Sequence, residues 1–131
     1  INNAIGRSHL NNRAFINDPD VFILRDESVA LSKVQKRTLA TINKLFGSLL
    51  FTSDDLFEYN ASQMALFEWI TNKEKVSILS KTCIKKGVYH VVVMSNDKRN
   101  EYVINTTNRP IFHGQQKNKV EPFEVVCMEE L

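Results

Sequence analysis

The chain has 131 residues, 43% of them hydrophobic and 24% charged, with a net charge of +2, enough for one ordinary globular domain or two small ones. Acidic and basic residues are interspersed, and no basic block is interleaved with aromatics, so nucleic acid is not an expected partner. No apolar run approaches the ~20 residues that span a bilayer, and Ile1-Asn2-Asn3-Ala4 lacks the basic-then-apolar pattern of a secretion signal; the expected location is cytoplasmic, with no membrane partner. A start at Ile1 rather than Met points to a processed chain or a fragment.

In chain order, Ala14-Phe15-Ile16 is a short apolar run that stops at Asn17-Asp18-Pro19-Asp20, residues that favour turns and strand ends. Val21 to Leu24 forms a second apolar run. A helix follows: Ser32 with Gln35 three residues on makes a capping box. Leu31, Val34, Thr38, Leu39, Ile42 and Leu45 form one apolar stripe, with Lys33, Lys36 and Arg37 on the other side. Gly47 is expected to stop this helix as its C′ residue.

Ser48 to Thr52 is apolar without alternation, as in a strand buried on both faces of a parallel sheet. It ends at Ser53-Asp54-Asp55. Another helix is expected over about residues 60–70, with Asn60 as N-cap, Gln63 at N3, and Met64, Phe67 and Trp69 as its apolar bulk. The order strand, helix, strand, helix is that of α/β folds, and the interval from Asn17 to Ser48 is long enough for a parallel crossover.

Near Lys73 the character changes. Apolar runs at 76–79, 82–84, 88–94, 101–104, 111–112 and 123–127, spaced at roughly ten residues by Gly, Asn, Asp and Pro, predict an antiparallel sheet or small sandwich. Cys83 and Cys127 belong to no CxxC or Cys/His cluster, so a zinc site is not expected. They read as reduced thiols buried in strands, with one disulfide as the alternative. Asn60-Ala61-Ser62 and Asn105-Thr106-Thr107 match the glycosylation pattern by their letters.

Two acidic pairs follow apolar runs: Asp18 with Asp20, and Asp54 with Asp55. In parallel β/α architectures functional residues gather at strand C-termini, where carboxylates serve as general acids and bases, as acceptors for sugar hydroxyls or as metal ligands. The plainer reading is a polar turn for the first pair and helix capping for the second. His9, His90 and His113 are scattered, and His90 reads as structural. Tyr59 and Trp69 are candidates for stacking on a sugar or, more simply, for the core. There is no spaced metal loop, phosphate loop or nucleophile elbow.

Asn17-Asp18-Pro19-Asp20-Val21, with Phe22 to Arg25 after it, resembles the Asn-Asp-Pro-Asp segment of melibiase-type α-galactosidases (glycoside hydrolase family 36 and its relatives). Leu31 to Gly47 resembles the helix that follows in that family, and Gly47 to Asp55 its eighth barrel strand and terminal Ser-Asp-Asp. The agreement covers about residues 11 to 59. It implies that 1–72 is the C-terminal part of a (β/α)8 TIM barrel, with Ile1 to His9 as the end of the sixth helix, and that 73–131 is the small C-terminal antiparallel β-sheet or sandwich domain.

The implied activity is retaining hydrolysis of terminal α-linked galactose, with two carboxylates roughly 5–6 Å apart. In the family these lie on the fourth and sixth strands. Both would precede Ile1, so no catalytic residue is expected here. The resemblance places Asp20, with Val21, beside the galactose subsite, Asp18 behind the pocket floor, and Asp54 at the rim. It implies an α-galactoside oligosaccharide as substrate, and no cofactor or metal.

A whole barrel takes about 250 residues. Two barrel strands without neighbours leave bare edges, so the isolated chain is expected to self-associate, or its barrel portion to pack back on the β domain. The alternatives are a related α-glycosidase or transglycosidase, and a non-catalytic module that binds carbohydrate or protein.

Overall fold

The computed structural model describes every residue except 12, 15, 18–20, 73, 74, 115–117 and 129–131. The chain divides into two compact units, Ile1–Asn72 and Lys73–Leu131: the first is helical, the second is built on antiparallel sheets.

In the first unit, α1 spans Asn2–Arg7, α2 Lys33–Phe46 and α3 Ala61–Thr71, with short 3-10 turns at Ser8–Leu10 and Leu56–Glu58. Ser32 caps α2 through both arms of a capping box with Gln35, satisfying N–H groups that the first turn leaves without a helical partner. Asn60 and Gln63 do the same for α3. Gly47 closes α2 in an extended conformation (φ −84°), not the left-handed one expected of a C′ glycine.

The helix stripe is displaced from its sequence reading. Leu39, Ile42, Leu45 and Phe46 are buried, but Leu31 and Val34 at the N-terminal end are exposed. Lys36, assigned to the solvent face, is 6% exposed. Its Nζ reaches Arg25 O and Asp26 Oδ1, both at 2.6 Å, so a long stem is buried while its charge is paired.

The two apolar runs of this unit meet as neighbouring parallel segments. Phe22 forms a parallel bridge with Thr52, and its N–H donates to Phe51 O at 2.7 Å. The pairing therefore falls in the second apolar run, at Phe22. Phe22 and Leu24 pack with Leu39, Ala40 and Ile70, backed by Leu50, Leu66 and Phe67. The 48–52 run was expected to be buried on both faces. Only one face is covered: Leu50 joins the core, whereas Leu49 and Phe51 are exposed, as is Val21.

In the second unit, β1 (Val76–Lys85), β2 (Val88–Ser95), β3 (Lys98–Asn105) and β6 (Val125–Cys127) form an antiparallel sheet in that spatial order, and β4 (Ile111–His113) pairs with β5 (Asn118–Val120). The two runs predicted at 76–79 and 82–84 are one strand. It is interrupted by register shifts between Ile78 and Ser80 and between Cys83 and Lys85. Each shift leaves one extra residue, Leu79 or Ile84, and both are exposed. Bulges of this kind re-aim a side chain without ending the strand.

Asn96 and Asp97 both take positive φ (48° and 60°), the conformation of a type I′ hairpin turn. Gly87 has φ +79°, and a Cβ there would lie 2.9 Å from Thr107 Cγ2, so the turn needs glycine. Val88, Val103, Ile111 and Val120 form the core.

Asn105 is the polar hub of this unit and is fully buried. Its Nδ2 donates to Arg109 O (2.8 Å) and Glu121 O (2.9 Å), and its Oδ1 accepts from Thr107 N and Oγ1. Both cysteines are free: Cys83 is exposed and Cys127 half-buried, so the expectation of two buried thiols fails at Cys83, which lies on the bulged part of β1. Among the described residues no helix is long and apolar enough to cross a membrane.

Candidate functional site

The acidic residue after the second parallel segment is the best-defined polar centre of the first unit. The Asp54 side chain is 0% exposed. Its Oδ2 accepts from Leu24 N (2.5 Å), Arg25 N (3.0 Å) and Tyr59 Oη (2.7 Å), and its Oδ1 from the Arg25 guanidinium (2.6 Å). Enclosure alone raises the carboxyl's pKa. The bonds from Tyr59, from the Leu24 and Arg25 N–H groups and from the Arg25 side chain outweigh it, and the group sits below its ordinary value. The Tyr59 hydroxyl is pushed up, first by burial and then by donating to this carboxylate, so it stays a donor.

Oδ2 thus accepts three bonds and Oδ1 one. Asp54 clamps the end of one segment, Leu24-Arg25, to the end of its neighbour. Arg25 adds a bond to Ser53 Oγ at 3.1 Å, and Gln63 from α3 holds Leu24 O at 2.8 Å. Asp55 caps the 3-10 turn through Phe57 N at 3.0 Å.

Val21 is exposed beside Phe22. Asp18 and Asp20 lie outside the described residues. Asn17, from the same motif, is a structural residue that the motif reading passed over. It is 4% exposed, and its Nδ2 donates to Ala4 O (3.1 Å) and Phe46 O (2.8 Å). Ser48 N donates to Asn17 O at 3.0 Å. Through its side-chain amide and its backbone carbonyl, this one residue joins α1, the end of α2 and the start of the second segment.

The aromatics read as stacking candidates serve the interior or the helix end. The Tyr59 ring packs edge-on against Phe67, centroids 6.0 Å apart. Trp69 carries Lys44 Nζ over its ring at 5.7 Å, and that ammonium also bonds Trp69 O and Asn72 O at the end of α3.

Beside the clamp, an open cleft of about 380 Å³ is lined by residues from α2 and from the first turn of α3, with Leu24 and Leu66 among its apolar groups. Lys33, Lys36 and Arg37 line it as well.

In the second unit, two histidines read as scattered come together: the His90 and His113 rings are 5.6 Å apart. His90 Nε2 lies 3.0 Å from Glu101 Oε2, and Arg99 pairs with the same carboxylate at 2.8 Å. Among the described residues no group of three or more His, Cys, Asp or Glu is arranged to hold a metal ion.

No family model matches the chain, and no curated protein matches it.

Proposed function

We propose that this chain supplies the closing part of an α-galactosidase-type glycoside hydrolase, with residues 1–72 as the last strands and helices of a (β/α)8 barrel and 73–131 as its C-terminal β domain. The parent enzyme hydrolyses terminal α-linked galactose from oligosaccharides. Its nucleophile and acid/base lie before Ile1, so the chain alone has no turnover. Asp20 and Val21 border the galactose subsite, and Asp18 supports the pocket floor. Asp54 lies at the rim, at the strand end that it holds.

The observation that carries this reading is the parallel Phe22–Thr52 bridge, with helix α2 between its two strands. The bare face of the pair adds to it: Val21, Leu49 and Phe51 are 44%, 41% and 54% exposed, on segments whose sequence is apolar on both sides. A covered outer face and an apolar inner face are what a barrel strand needs once its neighbours are present. Unpaired, the same edges favour self-association.

Two measurements test the proposal. The isolated chain should release no product from an aryl α-galactoside, and Asp20→Asn in the complete enzyme should lower turnover while leaving the fold intact. Robust hydrolysis by the isolated chain, or an unaffected Asp20→Asn enzyme, would overturn it.

A further inference from the structure

We propose that the cleft between α2 and α3 binds the phosphoryl group of a small metabolite, a role independent of the galactosidase reading. The argument is an account of donors and charge. Of the charged groups lining the cleft, Asp26 is the sole carboxylate, and it is bonded to Lys36 at 2.6 Å. Lys33 and Arg37 remain. Both are exposed, and neither forms an ion pair among the described residues. They stand four residues apart on α2, so their side chains share a face, with Cβ atoms about 5–6 Å apart.

On the facing wall Asn60 spends its Oδ1 on the N–H groups of Ser62 and Gln63. The N–H groups of Ser62 and Gln63 are therefore taken up by the cap. Gln63 is spent too: its Oε1 accepts from Asn60 N, and its Nε2 donates to Leu24 O.

The cleft thus sets three cations, Lys33, Lys36 and Arg37, against the one carboxylate of Asp26, whose charge Lys33 shares with Lys36. A neutral sugar or amide needs both donors and acceptors; an oxyanion needs donors alone, and an arginine fork beside a lysine suits phosphate oxygens. The volume of about 380 Å³ exceeds that of one phosphate, and Leu24 and Leu66 give the remainder of the ligand an apolar wall.

The test is a titration of the ¹⁵N-labelled chain with inorganic phosphate, beside a sodium chloride series of equal ionic strength. Saturable shifts confined to amides of residues 33–37 and 60–63 are expected with phosphate and not with chloride. Lys33→Gln/Arg37→Gln, two exposed changes that leave the α2 amide pattern in place, should weaken binding by about tenfold or more. Lys85→Gln, on β1, should leave it unchanged. Shifts that never saturate, that chloride reproduces, or that survive in the double variant would overturn the proposal. So would an equal loss on Lys85→Gln, which would mark binding as a response to general positive charge.

Discussion

Residues 73–131 satisfy their backbone by pairing strand with strand, from Val76↔Ser95 through Val88↔Asn105 to Ile104↔Val125. Residues 1–72 show the Phe22↔Thr52 bridge in place of a ladder between their extended segments, and there side chains take over the task. Asp54 serves Leu24 N and Arg25 N, Asn17 serves Ala4 O and Phe46 O, Lys36 serves Arg25 O, and Gln63 serves Leu24 O. A ladder spreads its stabilisation over many equivalent bonds. A set of side-chain ties concentrates it, because removing one side chain orphans several buried partners at once. Single substitutions should therefore cost most where the first unit is tied and least where either unit only ends an element.

Asp54→Ala should be the most damaging change. It strips two backbone N–H groups and the Tyr59 hydroxyl of their acceptor, a loss of about 3–5 kcal/mol for the three orphaned donors together, read as an earlier loss of helical ellipticity on heating. The same clamp gives the first unit an acid limit. Its carboxyl titrates lower in the folded chain than in the unfolded one, so its stabilisation is complete above the ordinary value of 3.8. The stabilisation fades as pH falls through the lower folded value. Asp54→Asn should flatten that part of the stability–pH curve; a curve unchanged by the substitution would show that the clamp is not its source.

Asn105→Ala probes the buried side chain through which the second unit uses the first unit's strategy. Arg109 O, Glu121 O and Thr107 N lose their partner together, at about 2–3 kcal/mol, measured by amide exchange along β2 and β3. Gly87→Ala forces a Cβ against Thr107 and a non-glycine residue into φ +79°; about 1–2 kcal/mol is expected, by the same exchange measurement. The smallest effect should come from Ser32→Ala, about 1 kcal/mol for one cap, in helical ellipticity. If Ser32→Ala proves as costly as Asp54→Ala, the contrast between the two units fails.

What could be read from the sequence was what residues a few positions apart decide. Ser32 with Gln35, Asn60 with Gln63, and the turns at Gly87 and Asn96-Asp97 all act within one turn of chain, and each stands where it was expected. Lys36 was misassigned because its partners lie 10 and 11 residues back, on Asp26 and Arg25, which no helical period reveals. β1 was broken in two because a bulge disturbs the alternation that marks a strand. Asn17 carries no local sign of its role, since its partners are carbonyls 13 and 29 residues distant. Asp54 was legible as a residue following an apolar run, but whether such a carboxylate faces outward or holds a neighbouring segment depends on what donates to it. For Asp54 those donors come from Leu24, Arg25 and Tyr59.

The burial of Asn105 bears on how the chain would behave in a glycosylating compartment. Asn105-Thr106-Thr107 has the letters of an acceptor for an N-linked glycan, yet the nitrogen that would carry the sugar is committed to two carbonyls inside the second unit. Attachment and folding exclude one another there. A transferase would have to reach this asparagine on the nascent chain, before the sheet closes, and the sugar would then hold the sheet open. Occupancy at Asn105 would thus be a record of folding order, and a chain that folds first would leave the site blank.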